Sequence, residues 1–252
     1  MTALARALNA ETLKLKRTLA LWLAIVLPAV IVFLFFLNYL QRGEFLIRED
    51  ADSWIWMAQN VLILWSMLFL PLFTALEMAL ISGLEHSDKN WKHLFALPIP
   101  RWTIYAAKLL AGLGILGLGQ IAAWGWTMLA GLGLRVFKPG LGFEDSFPWL
   151  QILEWTFRVF LASWLIVAIQ TWVSVRWPRF VLSIGVGIAA VIGGFIMSNT
   201  ELWRIYPWSL PAAVANGFIR GDTQLTAVVI SIIGGVVVGV VGCWDTTRRD
   251  VL

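Results

Sequence analysis

The sequence is poor in the side chains that carry out chemistry. It holds one cysteine, Cys243, so no internal disulfide can form, and that residue reads as a small buried apolar group. Its two histidines, His86 and His93, are seven apart with no third strong ligand nearby, which argues against a metal centre. There is no G-x-x-x-x-G-K-[ST] run, so the chain lacks a P-loop to cradle a nucleotide. A G-x-S-x-G elbow and an H-E-x-x-H pair are also missing. Gly112, Gly114 and Gly117 match G-x-G-x-x-G in spacing only. No strand precedes them and they lie inside a long apolar run, so they read as helix-packing glycines. Covalent catalysis, a metal site and a cofactor site in this chain are therefore not expected.

Charge is scarce as well. Only 13% of residues are charged, while 60% are hydrophobic. That balance is too apolar for a soluble domain of 252 residues and fits an all-α polytopic membrane protein. The net charge of +4 is spread over several loops and forms no stripe, which excludes a nucleic-acid partner. Sixteen tryptophans are present, several near span ends, where amphipathic rings suit the headgroup zone.

Apolar runs predict six spans, at about 19–40, 54–83, 104–134, 151–175, 180–198 and 225–244, within one transmembrane domain covering 1–252. Residues 1–17 read as an interfacial amphipathic helix, with Leu4, Leu8 and Leu15 set among charges. Pro28 is expected to kink the first span. In span 4, Glu154 and Arg158 are four apart and able to pair. In span 6, Ser231, Gly235 and Gly239 are spaced by four and offer a packing face. Segment 199–224 is too apolar for a free loop and reads as an outer, re-entrant-like hairpin or pair of short helices. With the N-terminus inside, segments 1–17, 85–108, 176–179 and 248–249 hold twelve Lys and Arg, against seven on the other side. That asymmetry puts both termini and the 85–108 segment in the cytoplasm.

Three polar residues interrupt the spans. Gln120 near the middle of span 3 and Gln170 toward the inner end of span 4 are candidates for a pathway or for interhelical hydrogen bonds. Glu77 is about two turns from the end of span 2. It either lines the inner vestibule or a helix contact, or sits close enough to the interface to be wet, and the last reading is preferred.

The stretch from Glu85 to Lys108 has the strongest local pattern. Ser87 can cap a short helix. Trp91, Leu94 and Phe95 then share one face, while Lys89, Lys92 and His93 fall largely on another. Pro98 stops the helix, and Pro98-Ile99-Pro100 makes a stiff exit toward Arg101.

A glutamate followed by WKHLFALPIPR and then a lysine resembles the cytoplasmic loop of ABC-2 type transporter permeases, in particular the lantibiotic-immunity and bacitracin-resistance subgroup. Weaker runs, YPWSLP at 206–211 and RRD at 248–250, add to it. The resemblance implies a type V exporter-like fold, with an N-terminal interfacial helix and a coupling helix in the 85–103 loop between spans 2 and 3. It implies coupling roles for Glu85, Trp91, Lys92, His93, Leu94, Phe95, Pro98 and Arg101. It also implies partners: two copies of a cytoplasmic ABC ATPase that bind ATP and Mg, and a second permease, identical or paralogous. The location implied is the bacterial cytoplasmic membrane, and the cargo an antimicrobial peptide, lantibiotic or hydrophobic drug. A non-transporting membrane scaffold or sensor subunit is the alternative, since the spans contain few polar residues.

Overall fold

The computed structural model describes residues 2–15, 18–47, 52–87, 100–177, 179–198 and 200–248, and at 84–87 the backbone only. Among these residues the chain is helical with no strand. Six segments are long and apolar enough to cross a membrane: Leu19–Leu46, Ser53–Gly83, Arg101–Phe137, Trp149–Arg176, Phe180–Met197 and Leu225–Thr247.

A short helix, α1 (Ala3–Leu15), precedes α2 (Leu19–Leu46). Pro28 is buried within α2 and leaves its dihedrals helical; the irregular residue is Arg42, at φ −133° and ψ 17°. The second span is two helices, α3 (Ser53–Leu64) and α4 (Leu70–Ser87), joined by a π-helical turn at Trp65–Phe69. Pro71 accounts for the turn. It has no N–H to give the carbonyl one turn back, and the Leu70 N–H reaches Trp65 O, five residues away. α4 continues through Ser87, so that residue closes a long helix; the short helix it was expected to cap lies outside the described residues.

The third span, α5 (Arg101–Phe137), has 37 residues. At 1.5 Å per residue it is roughly 55 Å long, well beyond a hydrocarbon core of about 30 Å. The fourth span is interrupted. α6 (Trp149–Leu161) and α7 (Trp164–Arg176) meet at Ala162-Ser163. The break leaves backbone groups without intrahelical partners, and the neighbouring helix supplies one: Leu165 N–H donates to Ser231 Oγ at 3.1 Å. α8 (Phe180–Met197) follows, then two 3-10 turns, a short helix α9 (Leu210–Arg220) and the last span α10 (Leu225–Thr247).

The helices pack chiefly as α2 on α5, α7 on α10, α4 on α8, and α1 on α5. Trp65, Phe73, Ile115, Leu116, Val159 and Val214 belong to one central core. α9 is buried along most of its length against α3, α6 and α10, so the segment from Trp208 to Phe218 is held by protein, while most of 200–205 is exposed. Trp155 stacks on Phe218 at 4.8 Å, and Gln59 Nε2 donates to Phe218 O at 3.3 Å.

The 138–148 loop is irregular and tightly packed. Trp54 is held edge-on between Phe143 (5.1 Å) and Phe147 (4.9 Å), and its indole N–H donates to Asp145 O at 3.2 Å. Ser53 Oγ donates to Leu141 O at 2.5 Å. Gly131 is required here, because a Cβ at that position would run into the Trp54 ring. The Gly140 N–H donates to Glu144 Oε1 at 2.7 Å, and such backbone bonds hold that exposed carboxyl below its usual range. Glu154 and Arg158 do pair, at 2.5 Å. Gly114 faces open space and packs nothing, unlike Gly112, which abuts Met78. Cys243 is half-buried rather than buried, beside the start of α5.

Candidate functional site

Trp91, Lys92, His93, Leu94, Phe95 and Pro98 lie outside the described residues, as does the side chain of Glu85. The structure does describe what the loop joins. Glu85 falls in the last turns of α4, and Arg101 opens α5. Thr103 anchors that opening: its N–H and hydroxyl both donate to Pro100 O, at 3.0 and 2.6 Å. The loop is thus joined directly to the end of α4 and the start of α5.

Just beyond this junction lies a buried ion pair that joins three elements. Lys108 of α5 is fully buried, and its Nζ lies 3.4 and 3.5 Å from the two carboxylate oxygens of Glu11 in α1. The ammonium also donates to Ile81 O of α4 at 3.5 Å. Lys14, one turn along α1, holds Glu11 from the other side at 2.8 Å. At about 3.4 Å, opposite charges attract by roughly 5 kcal/mol if the effective dielectric is about 20. That attraction works against the cost of removing both from water, which for a buried pair can be as large or larger. The sequence carries a signal for this pair in its apolar stripes. Leu4, Leu8, Glu11 and Leu15 step by four, three and four, which sets Glu11 in the apolar stripe of α1. Ile104, Lys108, Ala111 and Ile115 do the same on α5.

The polar residues of the spans are buried. Gln120 is 2% exposed, and its Oε1 accepts the Trp65 indole N–H at 3.0 Å, so it ties α5 to the π-helical turn. Gln170 is fully buried in α7, and neither end of its amide has a hydrogen-bond partner. Its Nε2 lies where α8 comes close: a Cβ on Gly187 would be 2.8 Å from it and would also collide with Ala75 of α4. Ser82 and Ser174 join α4 to α7 at 3.1 Å, one to two turns further along.

Glu77 corrects the expectation of a wet carboxylate. It is 1% exposed, and neither of its oxygens has a hydrogen-bond partner. The reason is rotational position. At 100° per residue, Phe73, Glu77 and Ile81 share one face of α4, and Phe73 and Ile81 both meet α5. Glu77 thus points into the bundle from a helix whose other faces meet α7 and α8. Glu77, Gln120 and Gln170 form no single hydrogen-bonded cluster. They are buried separately on α4, α5 and α7, of which α4 and α5 flank the loop.

A family model described as ABC-2 family transporter protein matches residues 7–196. That range takes in most of α1, all of α2 to α7 and nearly all of α8. No curated protein matches the chain.

Proposed function

The chain belongs to the ABC-2 transporter family, as the membrane permease component of an ABC transporter, and from that premise we propose that it couples a separate ATPase to export of a hydrophobic or peptide cargo. The observation that carries the proposal is the family match over residues 7–196, read with the connection of the 85–103 loop to α4 and α5. The ATPase, in two copies, binds ATP and Mg and closes against the helix bearing Trp91, Lys92, His93, Leu94 and Phe95, which Pro98 ends, with Arg101 contacting it from the start of α5 and Glu85 fixing the loop where α4 ends. Movement there tilts α4 and α5. The ion pair of Glu11 and Lys108 carries α1 along with them. A second permease, identical or paralogous, completes the pathway in the bacterial cytoplasmic membrane, with both termini inside. The subgroup resemblance favours an antimicrobial peptide, lantibiotic or drug as cargo.

The test is co-purification with the ATPase encoded beside this chain, followed by hydrolysis assays in lipid with candidate peptides. A stable complex whose hydrolysis responds to a peptide is the expected result. Trp91→Ala and Arg101→Glu should leave insertion intact and uncouple hydrolysis from transport. If both variants transport normally, the loop is not the coupling element. If no ATPase binds, the scaffold or sensor reading replaces this one.

A further inference from the structure

A lateral groove of about 530 Å³ runs between α5 and α10 over a floor made by α7. Its lining is almost wholly apolar and includes Trp102, Ala106, Leu110, Gly235, Gly239 and Cys243. The floor is shallow because α10 lies tight on α7: a Cβ on Gly235 would be 3.0 Å from the Trp164 carbonyl carbon. The walls stay open, with Trp102, Leu110 and Val240 exposed.

Three features define what fits there. The first is length. From Gly235 to Cys243 the groove follows eight residues of α10, about 12 Å, and from Trp102 to Leu113 eleven residues of α5, about 16 Å. Half of a hydrocarbon core of about 30 Å is about 15 Å, so the groove has the depth of one leaflet. The second is polarity, which changes at one end only. Arg101 adjoins Trp102, Arg176 reaches Asp245 at 3.6 Å, and Arg248 lies over the Trp244 ring at 4.2 Å. Asp245 also accepts from Trp172 Nε1 at 2.9 Å, so among the described residues named at this end three are basic and one is acidic. The third is continuity with the surrounding medium: the groove opens sideways from helices that cross the membrane.

We propose that this groove binds an anionic phospholipid, with an acyl chain along Gly235–Cys243 and the phosphate at the basic mouth. Basic pockets beside membrane helices recognise lipid headgroups in this way. The site rests on the membrane-spanning reading and not on the ATPase partner or on the direction in which the chain faces. In the orientation proposed above, the leaflet is the cytoplasmic one.

Cys243 lies in the groove wall and is the chain's only cysteine, so it reports directly. The full-length protein, delipidated in mild detergent, is alkylated with a maleimide in mixed micelles containing phosphatidylglycerol or phosphatidylcholine at equal concentration. Bound lipid protects by mass action, roughly fivefold at four times the Kd. Phosphatidylglycerol should protect at lower concentration than phosphatidylcholine, and Arg248→Gln should narrow that difference. Ala106→Phe fills the groove and should slow alkylation without lipid and abolish the lipid response. Equal rates with and without phosphatidylglycerol in the unmodified chain overturn the proposal, whatever the variants do. Protection that rises with protein concentration and ignores lipid also overturns it, and assigns the groove to a second copy of the chain.

Discussion

Replacing Glu77 with methionine should make the protein more stable. A buried polar group without a hydrogen-bond partner costs about 1–3 kcal/mol, and Glu77 leaves both carboxyl oxygens in that state at 1% exposure. Methionine has similar length and helix propensity, carries no strong polar atom, and adapts to irregular space. Glu77→Met should therefore recover about 1–3 kcal/mol. For a chain of this size, 1 kcal/mol shifts Tm by about 2–4 °C, so a rise between about 2 and 12 °C is expected. Glu77→Gln keeps the shape and the unpartnered polarity, and should gain little. Glu77→Ala leaves a cavity and should lose stability. Scanning fluorimetry of the purified protein in mild detergent, at a fixed scan rate, ranks the four proteins. A lower Tm for Glu77→Met would refute the reasoning, because it would mean that the carboxyl group makes a stabilising contact. A chain that gains stability at Glu77 and loses transport would identify a residue retained for function at a cost in stability.

Breaking the ion pair of Glu11 and Lys108 should be asymmetric. Glu11→Gln should cost about 3–5 kcal/mol because it removes a carboxylate paired with a fully buried ammonium, whereas Lys108→Met should cost less, since Lys14 still holds Glu11. The double variant Glu11→Leu with Lys108→Met should be milder than the sum, and unfolding midpoints in denaturant measure all three. Gly131→Ala should cost about 1–3 kcal/mol by forcing the Trp54 ring out of its box, read as a lower Tm with faster hydrogen exchange across 138–148. The carboxyl of Glu144 is held below its usual range, so its contribution is complete above the unfolded value and lost as pH falls through the lower folded value. Protection of the Gly140 N–H, taken relative to its intrinsic exchange rate at each pH, should fall on acidification below the ordinary carboxylate range, and Glu144→Gln should remove that pH dependence.

The sequence revealed most where an element's character is local. Six apolar runs give six candidate spans because each must satisfy its own backbone in lipid. The pairing of Glu154 with Arg158 needed only helical spacing, and the Ser231, Gly235 and Gly239 face only a period of four. Partners distant in the chain were not legible. Trp54 gave no sign that a loop some ninety residues on would enclose it. The break at Ala162-Ser163 is stabilised by a hydroxyl on another helix, so hydropathy alone reads through it. Depth along the helix alone points to a wet Glu77, whereas its rotation about α4 buries it. The loop residues from Trp91 to Pro98, with Lys108 as the lysine beyond them, carry the resemblance, while the pairing of Lys108 with Glu11 is legible only from their positions in the apolar stripes of α5 and α1.

The π-helical turn at Trp65–Phe69 gives the second span two phases. One residue more than an α-turn is accommodated there, so the half bearing Trp54 and the half bearing Glu77 follow separate angular frames about 100° apart. A substitution on either side leaves that offset unchanged, but a one-residue deletion inside the turn would erase it. The helix would straighten, and everything from Leu70 onward would rotate together. Ala75 would leave Gly187, Ser82 would leave Ser174, and Glu77 would swing off α5, while the composition of the span would hardly change. This span should therefore tolerate changes in residue type far better than a change in its length by one.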